Sequence, residues 1–93
     1  MHMDLNLAEL RAKGDKALMD FLKADLDLGF TFARLSQLEQ RLDEPTSKQA
    51  RHNAERVIET VRRFRDRIID GEQVQAIESR LADLELLVYQ IQS

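Results

Sequence analysis

His52 and Glu55 lie one helical turn apart and are the only pair at metal-ligand spacing beyond the first two residues. A di-iron helix places Glu before His and draws further carboxylates from other helices. Here the order is reversed, so the pair reads as a solvated helix face. Asp25 and Asp27, close to Asp20, could divide acid and base roles only where a cleft raised one pKa. They read instead as solvated acids facing a basic second helix. Ser36, Ser47 and Ser79 have no neighbouring base and no nucleophile elbow, and no Gly-rich loop is present to cradle a phosphate. The chain contains no Cys, which removes disulfides, thiolate metal sites and thiol nucleophiles together and fits a reducing compartment. The sequence therefore assigns no catalytic, cofactor or metal site, and the expectation is a protein that is not an enzyme.

Charge is layered along the chain. Residues 1–45 hold nine acids against six bases, residues 46–69 three against seven, and residues 70–93 five against one, for a net charge of −3. A basic middle segment between two acidic ones admits two readings. Arg56, Arg62, Arg63 and Arg67, with Arg65, could present guanidinium forks to phosphate. Alternatively Arg51, Arg65 and Arg67 flank the apolar seam, pair with acids on the neighbouring helices and set which helix sits beside which. The acidic flanks would repel a duplex, which favours the second reading over nucleic acid.

The elements that carry these residues are helical. Three Gly, one Pro and 5% aromatic residues leave too little turn punctuation for an all-β chain, whereas the Ala, Leu, Glu, Arg and Gln content suits helices. Ninety-three residues, 43% of them apolar, make one domain, 1–93, with a modest core. No apolar run approaches the roughly 18 residues of a membrane span, and no signal-peptide pattern opens the chain. A cytoplasmic protein is expected. Met1-His2 read as a leftover of expression ahead of a native start at Met3.

The fold expected is an all-α antiparallel three-helix bundle: a short leading helix to about Lys13, a long first helix over 15–41, a second over 46–69 and a third over 72–91. The first helix is apolar on two sides. One row runs at seven-residue spacing through Phe21, Leu28 and Leu35, with Ala17, Ala24, Thr31 and Leu38 between them. A second row, Met19, Leu22, Leu26, Phe30 and Ala33, lies elsewhere on the cylinder. The heptad row is read as the inward one, with the Thr31 hydroxyl bonding back one turn and Asn53 of helix two as its polar counterpart. The alternation in Leu26–Phe32 is a strand pattern by itself, but a strand would have no partner, so helix is expected. Asp43-Glu44-Pro45 turns the chain, Thr46 to Gln49 has the capping-box form, and Gly71 reads as a left-handed cap after helix two, with Asp70 able to open helix three. Helix two turns Ala50, Ala54, Val57, Val61, Phe64 and Ile68 inward, with Ile58 beside them. Helix three turns in Val74, Ile77, Leu81, Leu84, Val88 and Ile91. The leading Leu5, Leu7 and Leu10 must fold back or meet another molecule.

The segments DLDLGFTFARL, NAERVIETVRRF and IESRLADLELL, over roughly residues 20–88, resemble a group of small uncharacterised bacterial helical proteins with a DLxLxFTF segment ahead of an NAxxxxxTVxRF helix. That resemblance implies a three-helix arrangement and supplies no catalytic residues. The function expected from the residues is an interaction or assembly module that self-associates, most simply as a dimer, through Met19, Leu22, Leu26 and Phe30 of helix one, because a large exposed apolar stripe is a liability in a monomer. The alternative is a phosphate or nucleic-acid binding regulator using Arg56, Arg62, Arg63 and Arg67.

Overall fold

A computed structural model describes residues 7–68 and 70–92, with side chains described over 14–68 and 70–91. Three α-helices, α1 (Leu7–Glu39), α2 (Glu44–Phe64) and α3 (Gly71–Gln92), pack against one another, with a single 3-10 turn, Arg65–Arg67, between the last two. The chain is an all-α three-helix bundle, as its periodicity predicts. Contacts fix the directions. Ser36 of α1 meets Ser47 of α2 across the hairpin, so α1 and α2 are antiparallel. Asp27 meets Arg80 and Gln40 reaches the Ile91 carbonyl, so α3 runs parallel to α1.

α1 is one uninterrupted helix of 33 residues, about 50 Å long. The expected break between a leader and a helix starting at 15 does not occur. Gly14 sits inside the helix, because one glycine costs only about 1 kcal/mol there, while a break would strand the backbone groups of both new ends. Residues 7–13 therefore continue α1 rather than folding back; Leu5 and the side chains of Leu7 and Leu10 lie outside the described residues. Leu26 to Phe32 is helical, the period of the whole helix prevailing over a short alternation.

The hairpin is closed by Asp43. Its backbone N–H donates to the Glu39 carbonyl at 2.8 Å, and its carboxylate accepts from the Thr46 backbone at 3.3 Å and from the Thr46 hydroxyl at 2.8 Å. Asp43, not Thr46, is thus the N-cap of α2. Pro45 falls in the first turn, where its missing N–H is not needed. α2 ends at Phe64, short of the expected 69. The 3-10 turn follows, and Ile68, extended at φ −81° and ψ 125°, re-enters the core; Ile69 lies outside the described residues. Gly71 does not take a left-handed conformation; it opens α3 instead, while Asp70 accepts from the backbone N–H groups of Glu72 and Gln73 at 2.9 and 3.3 Å.

The rows of α2 and α3 face the core as their spacing predicts: Ala50, Ala54, Val57, Ile58, Val61 and Ile68 from the second segment, and Ile77, Leu81, Leu84, Val88 and Ile91 from the third, are buried. Phe64, Val74 and Leu87 are partly buried against them. In α1 the two rows are exchanged relative to the sequence reading. Leu22 and Leu26 are fully buried, with Met19, Ala33 and Ser36 beside them, whereas Phe21 is 48% exposed. The reason is size. The buried face, Met19, Leu22, Leu26, Gly29, Ala33 and Ser36, keeps alternating three- and four-residue steps and becomes small toward its C-terminal end. The facing start of α2 is equally small, with Ser47, Ala50 and Ala54 buried there. Small residues on both sides let the backbones approach, and the bulky heptad row is left outside.

Candidate functional site

The outward side of α1 carries the longest row of exposed apolar side chains among the described residues; Leu42, Leu86 and Tyr89 are exposed as well. Phe21, Leu28, Leu35 and Leu38 are 48%, 47%, 38% and 71% exposed. Ala24 and Thr31 lie between them and Ala17 one turn before, also exposed. At about 100° per residue this row is centred roughly 150° around the helix from the buried one. Thr31 therefore does not face the core; its hydroxyl donates to the Asp27 carbonyl at 3.1 Å, one turn back, on the exposed side. Phe21 meets Phe64 edge to face at 6.5 Å, which anchors one end of the row to α2.

Two flanks border the row, each also at seven-residue spacing. Leu18, Asp25, Phe32 and Glu39 form the flank toward the core and are all half-buried. Burial pushes the Asp25 carboxyl above its usual range. The other flank, Asp20, Asp27, Arg34 and Arg41, is exposed throughout, with two acids followed by two bases. Asp27 accepts from Arg80 of α3 at 2.7 Å, so its partner is α3 and not the basic helix two.

The sequence-derived association face, Met19, Leu22, Leu26 and Phe30, is corrected by this geometry. Met19, Leu22 and Leu26 belong to the core of their own chain and offer no surface to a second molecule. Phe30 is half-buried and lies between two guanidinium groups, Arg34 at 5.8 Å and Arg80 at 5.3 Å from its ring centre, favourable cation–π contacts.

The arginines of α2 and of the 3-10 turn are dispersed. Arg62 bonds Glu85 of α3, and Arg65 lies 4.0 Å from Glu78. Arg67 stacks on the Phe64 ring at 4.8 Å instead of pairing with an acid. Arg56 and Arg63 are exposed, and Arg63 lies about 100° around the helix from Arg62. These pairs join the second segment to α3, as the pairing reading predicts for Arg65; Arg51 makes no ion pair among the described residues, and its Nε is buried without a hydrogen-bond partner. The pairs to α3 are partly exposed, so each contributes at most about 1 kcal/mol. His52 lies 3.9 Å from Glu55 and both are accessible; no group of three or more metal-ligating side chains occurs among the described residues. None of the helices, over the described residues, is long and apolar enough to cross a membrane.

Ser36 and Ser47, isolated hydroxyls in the sequence, are brought together by the fold. The Ser36 hydroxyl donates to the Ser47 carbonyl at 2.8 Å, the Ser47 hydroxyl donates to the Ser36 carbonyl at 2.7 Å, and both residues are buried. The two hydroxyl oxygens lie 3.0 Å apart, closed off from solvent and held on backbone carbonyls. A pair of serines on small faces of adjoining helices was the only signal available.

No protein-family model, curated protein or solved structure matches this chain.

Proposed function

We propose that the chain is a self-association module whose working surface is the outward row of α1, acting by assembly rather than by chemistry. One observation carries this reading. The bundle closes its core with Met19, Leu22, Leu26 and Ala33 of α1, and still leaves Phe21, Leu28, Leu35 and Leu38 exposed in a line. Seven-residue repetition of large apolar side chains is the pattern that two helices use to interdigitate, and a contiguous exposed apolar stripe favours burial against a partner.

Sedimentation equilibrium over a concentration series tests the proposal. The expected result is a mass that rises from one chain to two with concentration, and a Leu28→Glu, Leu35→Glu double variant that stays monomeric with unchanged helical circular dichroism. A wild-type chain that remains monomeric at about millimolar concentration overturns it.

A further inference from the structure

We infer that the partner on this row is a second copy of the chain lying antiparallel to the first, with the two-fold axis near residue 30. The inference rests on the self-association reading and specifies its geometry. In an antiparallel pair of heptad helices each flank lies against the same flank of the other copy, read in reverse. The exposed flank of α1 reads Asp20, Asp27, Arg34, Arg41. Reversed and set beside itself it brings Asp20 to Arg41 and Asp27 to Arg34 of the second copy, and symmetry repeats both pairs. All four contacts then join opposite charges.

The same register settles the apolar layers. It places Phe21 opposite Leu38, Leu28 opposite Thr31, and Leu35 opposite Ala24 of the second copy, so that Leu28 and Leu35 each meet a smaller residue. A parallel pair would instead set one flank against the other flank of the second copy. Asp20 would then lie beside Asp25, a half-buried carboxyl, and Asp27 beside the apolar Phe32, with only Arg34 meeting an opposite charge, at Glu39. The antiparallel arrangement therefore joins more opposite charges, all of them on the exposed flank, and avoids the Asp20–Asp25 contact; on the half-buried flank it lays Asp25 against Phe32 and Leu18 against Glu39. Asp27 keeps its own Arg80 and remains exposed, free to accept from a second guanidinium. The inner Asp27–Arg34 pairs lie within the helix; Arg41 follows the last residue of α1, Glu39, in the hairpin turn, and supplements them.

Because the chain has no Cys, a spin label attached through Lys16→Cys reports on one site. Antiparallel copies place the two labels about 40 Å apart, at 1.5 Å per residue from the axis, and parallel copies place them within roughly 20 Å. In addition, Asp27→Arg and Arg34→Asp are each expected to weaken association about ten-fold or more by setting like charges together, while a one-to-one mixture of the two single variants, or the double variant, recovers it. Melting curves confirm that each variant is folded. A dimer with the short distance, or one indifferent to the charge exchanges, overturns the antiparallel arrangement and leaves self-association standing. A wild-type chain that is monomeric at all concentrations overturns both.

Discussion

A methyl group placed on Gly29 of α1 would lie 2.8 Å from Cγ1 and 3.2 Å from Cβ of Val57 on α2, and 2.7 Å from Cδ2 of Leu84 on α3. Three helices meet at this point, and the missing side chain is what lets them. Leu84 can swing its terminal methyl aside. Val57 is held in one rotamer by its β-branch and cannot. We predict that Gly29→Ala destabilises the chain by about 1–3 kcal/mol, overriding the roughly 1 kcal/mol that alanine ordinarily gains in a helix. Gly14, where nothing lies within 4 Å of an added methyl, gives the opposite sign: Gly14→Ala is expected to stabilise by up to about 1 kcal/mol. Urea denaturation of the two variants against wild type checks both.

Leu26 and Leu28 differ by two positions and by environment. Leu26 is fully buried in the core cluster, so Leu26→Ala is expected to cost about 2–5 kcal/mol. Leu28 faces outward, and Leu28→Ala is expected to change monomer stability by less than about 0.5 kcal/mol. Thermal melts at micromolar concentration separate them; a larger loss for Leu28→Ala than for Leu26→Ala would mean that the two rows are exchanged.

The two serine hydroxyls act as a unit. Ser36→Ala and Ser47→Ala should each cost about 1 kcal/mol, since each removes one buried hydrogen bond and disturbs its neighbour. The double variant should cost less than the two losses together, with a coupling of roughly 0.5 kcal/mol or more. Strictly additive losses in a double-mutant cycle would mean that the hydroxyls act independently.

Among the described residues, Asp25 supplies a pH dependence. Its folded pKa is raised above the ordinary 3.8 by burial, so the fold favours the protonated form. The associated stability is fully present below the unfolded pKa and is lost as pH rises through the folded one. Asp25→Asn should therefore match wild type near pH 3 and slightly exceed it at pH 7, the carboxyl being only partly desolvated. Melting temperatures at the two pH values test the sign. A variant less stable than wild type at pH 7 would count against the assignment.

α2 and α3 were legible because each carries a single apolar row, and one row leaves no choice of face. α1 carries two, and size misleads the choice between them. Phe21, Leu28 and Leu35 look more core-like than a face containing Gly29, Ala33 and Ser36. Only when the start of α2, with its own Ser47, Ala50 and Ala54, lies against that face does the small set become the better fit. The outward row was visible as a heptad, but its outward direction was not, because direction depends on a neighbour that local pattern does not contain. The same holds for the Asp, Asp, Arg, Arg flank, whose order is plain in the sequence and whose exposure is a property of the packed bundle.

The Ser36–Ser47 contact also governs misalignment. Slide α2 by one turn along α1 and the position opposite Ser36 passes from Ser47 either to Arg51 or to Asp43, each four residues away. A slipped hairpin would then push a long charged side chain, or the carboxylate that caps α2, against a buried hydroxyl. Apolar rows tolerate one-turn errors because apolar residues recur at three- and four-residue steps; this pair of hydroxyls does not. Misregistered hairpins are thereby made costly, and the chain is expected to reach its bundle without populating a shifted intermediate.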